Sequence, residues 1–484
     1  MFKRAVPWPK ILGQLKGLGW ITLWVSASVI PIAGADEALS YEQARQQLLQ
    51  QSDAIHAADF QVDTERDRRQ ALDRLRLPTL NVSAGVLAYG SERELDIRPL
   101  QQALGQAIPG AGQLVPGSVG LDFNAVNTTA ALTSSWLLYT GGRTGAARRF
   151  AEGGIALAQA AREGTREHQE MLLATLYFGH LLAGQVLEIR NDVLAGVARH
   201  LHLATRFEDR GVLSKVERLH AQVAYDEARR NVAQAQADFG IADVALRRLL
   251  RSEQPIKPQT LLFVLTRPLA PLSGFLKAGL ENHSQVALLR AKRSQAIEGK
   301  VVEQARWKPS VAAYGAYNLA RQNADLSDPL PLLQPDWLVG VNVTYTLFDR
   351  YNRNRLVSAA DLQIQRVSAL QRELETGLAT LIESSYRSVD SARTQFVLLD
   401  SSIELAQETL LLRERLFTEG LGTSLDVVDA RLAAARAETE RAAVAYDFVV
   451  SLVDLLEASG QLERFNDYVG LADVRLGIEE KKNE

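Results

Sequence analysis

Few side chains in this sequence have types and spacing that could do chemistry. The best placed are two acids, Asp426 and Asp429. Residues three apart on a helix share a face, so both carboxylates would project to one side. Acids in a first helical turn also complement the helix dipole, and that alone can account for them. His200 and His202 invite a metal reading, but side chains two apart on a helix face different ways and cannot chelate together. Met171 is the only methionine after the initiator and there is no cysteine, so a soft-metal relay for copper or silver has no ligands. Gly110-Ala111-Gly112 lies among prolines and lacks the strand-to-helix context of a nucleotide fingerprint. H-E-x-x-H, the P-loop and G-x-S-x-G are all absent. The residues therefore point away from an enzyme, and neither a metal nor a cofactor is expected.

The whole chain bounds the elements that must carry these residues. It has 484 residues and a formal net charge of −3, with no basic footprint for nucleic acid. Lys3, Arg4, Lys10 and Lys16 precede an apolar run at 18–32, then Pro31 and the small residues Ala33-Gly34-Ala35. That order reads as a signal peptide at 1–35, with Asp36 as the mature first residue. The run is short of the ~20 residues a spanning helix needs, and no later segment reads as a transmembrane helix. Membrane insertion, if it occurs, must use strands.

An internal repeat organises the remainder. At one constant offset Arg206 matches Arg415, Gly211 matches Gly420, Ser214 matches Thr423, Glu217 matches Asp426 and Leu246 matches Leu455. The same offset pairs Trp136 with Tyr345 and Tyr139 with Phe348. The predicted halves are 36–250 and 276–460, each reading helix, strand, loop, strand, long helix, turn, long helix. Helical tips are expected near 207–214 and 416–424.

Strands are predicted at 79–90 and 129–139 in the first half, and at 310–319 and 337–348 in the second. Leu80, Val82, Ala84 and Val86 alternate with Asn81, Ser83 and Gly85; Trp337, Val339, Val341 and Val343 alternate with Gly340, Asn342 and Thr344. Such period-two stripes suit a transmembrane barrel, and equally a half-buried soluble hairpin. The proline- and glycine-bearing stretches 91–127 and 321–336 read as long loops.

No proline occurs between Pro116 and Pro255 or after Pro335. Residues 143–207 follow a helical period, and a helix of that size is about 90 Å long. Recurrent alanines at 221–245 and 430–445 suit close, coiled-coil-type packing. The proline-rich segment 251–275 separates the halves. It and the C-terminal segment 461–484 read as peripheral, and the charged tail as disordered.

In this order the motifs resemble the TolC-like family of outer-membrane efflux proteins. The carriers are the opening Leu39-Ser40-Tyr41-Glu42-Gln43-Ala44, the helix-to-strand junctions at Pro78 and Pro309, the strand-to-helix junctions Leu138-Tyr139-Thr140-Gly141-Gly142-Arg143 and Leu347-Phe348-Asp349-Arg350, and the turns at Gly211 and Gly420. Arg350-Tyr351 departs from the glycines that family members tend to carry.

The resemblance implies a mainly α fold with a transmembrane β part. Long antiparallel coiled-coil helices form a periplasmic tunnel, and four strands per chain contribute to a twelve-stranded outer-membrane barrel in a homotrimer. It further implies a passive duct for small molecules or secreted proteins, docked through its tips onto a periplasmic adaptor joined to an inner-membrane pump. By resemblance Asp426 and Asp429 line the periplasmic gate, where threefold symmetry makes two carboxylate rings that favour cations. Adaptor contacts are expected around Arg206, Gly211, Ser214, Arg415, Gly420 and Thr423. The competing reading is a soluble periplasmic coiled-coil scaffold or adaptor, which leaves the four strands without a use.

Overall fold

The computed structural model describes residues 37–319, 336–348 and 352–477. The signal peptide, Asp36, most of the second predicted loop, Arg350-Tyr351 and the charged tail lie outside the described residues. Along the chain, β1 (Glu37–Leu39), α1 (Tyr41–Gln51) and α2 (Asp53–Asp73) lead to a hairpin of β2 (Thr79–Asp96) and β3 (Ser118–Tyr139), interrupted by α3 (Arg98–Ala107). Then come α4 (Arg143–Asp209), α5 (Lys215–Leu250), β4 (Ile256–Pro258) and β5 (Leu262–Val264). The second half has α6 (Leu272–Asn282), α7 (Ser284–Gln304), β6 (Ser310–Asn318), β7 (Trp337–Thr344), α8 (Arg353–Thr418) and α9 (Ser424–Ala458). The chain closes with α10 (Phe465–Leu471) and β8 (Val474–Leu476).

Two very long helices, α4 with 67 residues and α8 with 66, set the dimensions. At 1.5 Å per residue each spans about 100 Å. α4 packs along α5, α7, α2 and α9, while α8 packs along α9 and α7. Small residues allow the close approaches. A Cβ on Gly153 would meet the Gln295 side chain at 2.7 Å, and one on Gly279 would meet the Ala458 carbonyl at 2.9 Å.

β2, β3, β6 and β7 form one antiparallel sheet in that order. Its register lines Val82, Leu132, Tyr317 and Trp337 across one face, and Asn81, Thr133, Ala316 and Leu338 across the other. The first face carries the apolar stripes, yet among the described residues nothing covers it. Val82 is 72% exposed and Val339 75%. In a half-buried soluble hairpin these residues would be covered on one face.

The core sits midway along the helices. Tyr41, Tyr177, Phe178, Phe263, Phe448 and Phe465 pack as an aromatic cluster, with ring centroids about 5–6 Å apart for most neighbours. The Tyr177 hydroxyl donates to the Leu39 carbonyl at 2.8 Å and accepts from the Thr260 N–H at 3.0 Å. Glu170, buried, is held by Arg45 at 3.0 Å and Arg166 at 3.1 Å.

Three expectations need correction. The segments 251–275 and 461–477 are not peripheral: β4 pairs with β1, β5 pairs with β8, and Leu262, Phe263, Val264 and Phe465 belong to the core. The proline cluster ends the α5 helix but leaves the apolar run between the prolines free to dock. Residues 91–127 are not a loop throughout. β2 runs on to Asp96 and β3 starts at Ser118, because all three prolines fall inside 97–117 and none interrupts the ladder. Finally, α4 contains a stretch long and apolar enough to cross a membrane. Much of it is buried here: Leu173, Ala174, Tyr177, Phe178 and Leu181 are core residues.

Candidate functional site

The two helical tips bring most of the predicted site residues to the ends of two hairpins. Each turn needs one residue in the left-handed region, and glycine supplies it without a Cβ penalty: Gly211 has φ +69° and Gly420 has φ +76°. The reversed chain then bonds back onto the preceding helix. Val212 N–H donates to the Phe207 carbonyl and Leu421 N–H to the Leu416 carbonyl, both at 2.9 Å. Ser214 and Thr423 cap the outgoing helices, accepting from the N–H groups of Glu217 and Asp426.

Only the second tip closes a full capping box. Asp426 Oδ2 accepts from the Thr423 hydroxyl at 2.7 Å and from its N–H at 3.2 Å, while Arg413 stands 3.4 Å away. The Thr423 bonds, with Arg413 in support, hold the Asp426 carboxyl below the usual carboxylate range. Asp429 lies exposed one turn further on, without a first-turn position. Asp426 is thus tied to the cap and an arginine, leaving Asp429 as the freer charge.

In the first tip the equivalent acid does something else. Glu217 Oε2 accepts from the backbone N–H of Ser424 at 2.7 Å, so an α5 side chain caps α9. Glu217, matched to Asp426 by the internal repeat, is thereby part of the second tip. Beneath this bond Ala204, Ala221, Phe417 and Val427 form a small core, joined by Phe207 and Leu213. Arg206 and Arg415 point to solvent from the last turns of α4 and α8.

Further up the tips lies a polar cluster that the sequence reading missed. His200 is buried and its ring packs 4.4 Å from that of Phe417, whereas His202 is exposed. Arg431 of α9 lies across α4 at Gly196 and pairs with Glu414 of α8. A Cβ at Gly196 would overlap that guanidinium, so the glycine leaves the arginine its present path. Burial, and then Arg431, push the His200 pKa down, against Glu414 and Glu217. The long separations in sequence left no local signal for this cluster beyond a glycine within a helix. Among the described residues no group of three metal-ligating side chains converges.

Comparison with known proteins agrees with this architecture. A family model described as outer membrane efflux protein matches residues 44–251 and 276–461. Protein CyaE of Bordetella pertussis is 26% identical over 287 residues, 57% of this chain and 59% of that protein. The chain therefore matches less than two thirds of this relative's length. The solved structure of CusC superposes with a TM-score of 0.70 at 15% identity, covering 87% of this chain and 92% of that one. The CmeC outer membrane channel of Campylobacter jejuni gives 0.68 at 15%, covering 90% of each chain. These structural likenesses establish the fold. With most of its length matched by the family model, the chain belongs to the outer membrane efflux protein family, a family of channels rather than enzymes.

Proposed function

We propose that this chain is the outer-membrane duct of an export assembly. It acts as a homotrimer whose sheets close a twelve-stranded barrel in outer-membrane lipid and whose helices form a periplasmic tunnel. Small molecules such as drugs and toxic compounds, or secreted proteins, pass through it passively; an inner-membrane pump supplies the energy and a periplasmic adaptor joins pump to duct. The observation that carries this reading is the uncovered apolar face of the four-stranded sheet, together with its two terminal strands. β2 and β7 end the sheet order. In lipid each unsatisfied backbone group costs several kcal/mol, and four strands are too few to close a barrel. Further copies of the chain satisfy both edges.

The tips serve in this reading as the adaptor contact, through Arg206, Gly211, Ser214, Arg415, Gly420 and Thr423. Asp426 and Asp429 form the periplasmic gate, where three copies bring six carboxylates together and favour cations. Removal of 1–35 leaves a mature chain starting at Asp36. Sequencing the N-terminus of membrane-extracted protein and measuring its mass by detergent-corrected light scattering test the reading together. An Asp36 terminus, outer-membrane fractionation and a trimeric mass are expected. A soluble periplasmic protein, the behaviour of a coiled-coil scaffold, overturns it.

A further inference from the structure

The first hairpin reaches well beyond the second. β2 and β3 have 18 and 22 residues, against 9 and 8 for β6 and β7. A tilted strand crosses a bilayer with about 9–11 residues. The ladder between β3 and β6 ends at Ala131, so among the described residues the outer part of β3 pairs with β2 alone.

A folded module closes this ribbon at 97–117. The Ile97 N–H donates to the Gly117 carbonyl at 3.1 Å and shuts its base. Asp96 grips the first residue of α3: Oδ1 accepts from the Arg98 N–H and Nε–H, and Oδ2 from Nη2, each at 2.9 Å. The next turn, Ala111–Leu114, lies so close to α3 that a Cβ on Gly112 would stand 3.0 Å from the Gln101 carbonyl oxygen and 3.1 Å from Gly105 Cα. Contacts this close make a shaped unit rather than a slack loop.

It exposes large apolar side chains among glutamines. Leu100 is 56% exposed, Ile108 57% and Leu114 86%. Arg98 is the only charged residue in 97–117, and Asp96 already holds it. A surface meant for anionic lipid or for an oppositely charged partner would carry free charges, and this one carries none. Its position supplies the alternative. β2 is a terminal strand of the sheet, and the module hangs from the end of β2. Wherever the edge of β2 meets another copy, the module stands at the same seam.

We propose that the 97–117 module docks on its counterparts in the neighbouring copies of this chain, and that three of them cover the outward mouth of the duct. This rests on the trimeric-duct reading. Leu100, Ile108 and Leu114 form the contact, and surrounding glutamines hydrogen-bond across it.

The chain has no cysteine, so a single Leu114→Cys substitution in the full-length protein reports alone. The probe is a trifunctional maleimide with short arms, applied to the detergent-extracted protein, with the mass measured on the same sample. Covalent dimers and trimers are expected. A trimeric mass without crosslinks overturns the docking and leaves the duct reading intact; a monomeric mass overturns both. A bimane label on the same cysteine tests the lipid alternative: quenching by nitroxide lipids in vesicles overturns the proposal, and insensitivity to them supports it. Replacing 98–116 by an Asn-Gly turn is expected to keep the trimeric mass and raise single-channel conductance at least about two-fold. Unchanged conductance overturns the covering role.

Discussion

Glu217, near the start of α5, accepts a hydrogen bond from the backbone N–H of Ser424, the first residue of α9, at 2.7 Å. The two residues lie 207 apart in sequence. One half of the internal repeat thereby caps a helix of the other, and the two hairpin tips become one structural unit. A carboxylate at a helix N-terminus gains from both the orphan N–H and the dipole.

Removing that carboxylate is expected to loosen the second tip. A hydrogen bond to a charged group contributes roughly 1.5–3 kcal/mol, reduced here by partial exposure. For Glu217→Ala, amide hydrogen exchange at Val427 and Val428 is expected to accelerate about ten-fold, with little change around Leu452. Unaltered exchange at the tip means that Ser424 finds another acceptor at no cost.

The gate proposal predicts unequal roles for its two acids. Asp426 is held by Thr423 and Arg413, so Asp426→Asn keeps much of the cap and changes conduction moderately. Asp429→Asn removes the freer charge and is expected to cause the larger loss of cation preference and of block by multivalent cations from the periplasmic side. Planar-bilayer recording checks this. Equal selectivity in Asp429→Asn and the parent leaves Asp429 as a solvated helix acid only.

The tip packing is expected to weaken in mild acid. Burial holds the His200 pKa below the ordinary value of about 6.5, so the closed tip binds the proton less readily than the opened one. The stability it secures is full above about pH 6.5 and falls as the pH drops below that value. Protonation would place a second cation beside Arg431, with Glu414 and Glu217 as the opposing acids. His180, also depressed by burial, works in the same direction in the α4–α5 contact, whereas Asp454, raised by burial, works in the opposite one. The comparison is therefore between the parent and His200→Gln, followed by tip-amide exchange from pH 7.5 to about 5.5. A steeper loss of protection in the parent is expected; superimposable profiles eliminate His200 as the source.

The sheet predicts a difference between its faces. Val341→Lys places a charge on the exposed apolar face, where a lysine at the bilayer midplane costs roughly 2–4 kcal/mol. Asn342→Lys places it on the opposite face and is expected to be tolerated. Yield in the outer-membrane fraction and refolding into vesicles measure both. Comparable losses for the two variants would refute lipid contact by the Val341 face.

Much of the architecture was legible because its signals are local. Gly211 and Gly420, with Ser214 and Thr423 three residues later, specify two similar turns through backbone conformation and capping alone. The alternation through Trp337, Val339 and Val341 needs only the strand period, and the proline-free stretches needed only helical propensity to become α4 and α8. The first hairpin was less legible because residues 91–96 and 118–127 are polar or mixed, and their extension comes from pairing with each other.

The sequence by itself determined the two-fold repeat, the long helices, the paired strands and the tip turns, since each follows from interactions within a few residues. Tertiary structure decided what those elements hold together. It placed Leu262, Phe263 and Val264 in the core although prolines flank them, because β8 and the central helices offered an apolar partner. It sent Glu217 to Ser424 rather than back to its own cap, and laid Arg431 across Gly196 to reach Glu414 beside His200. Those contacts join residues far apart in the chain, and their energies arise from burial and charge pairing that exist only once the helices have packed.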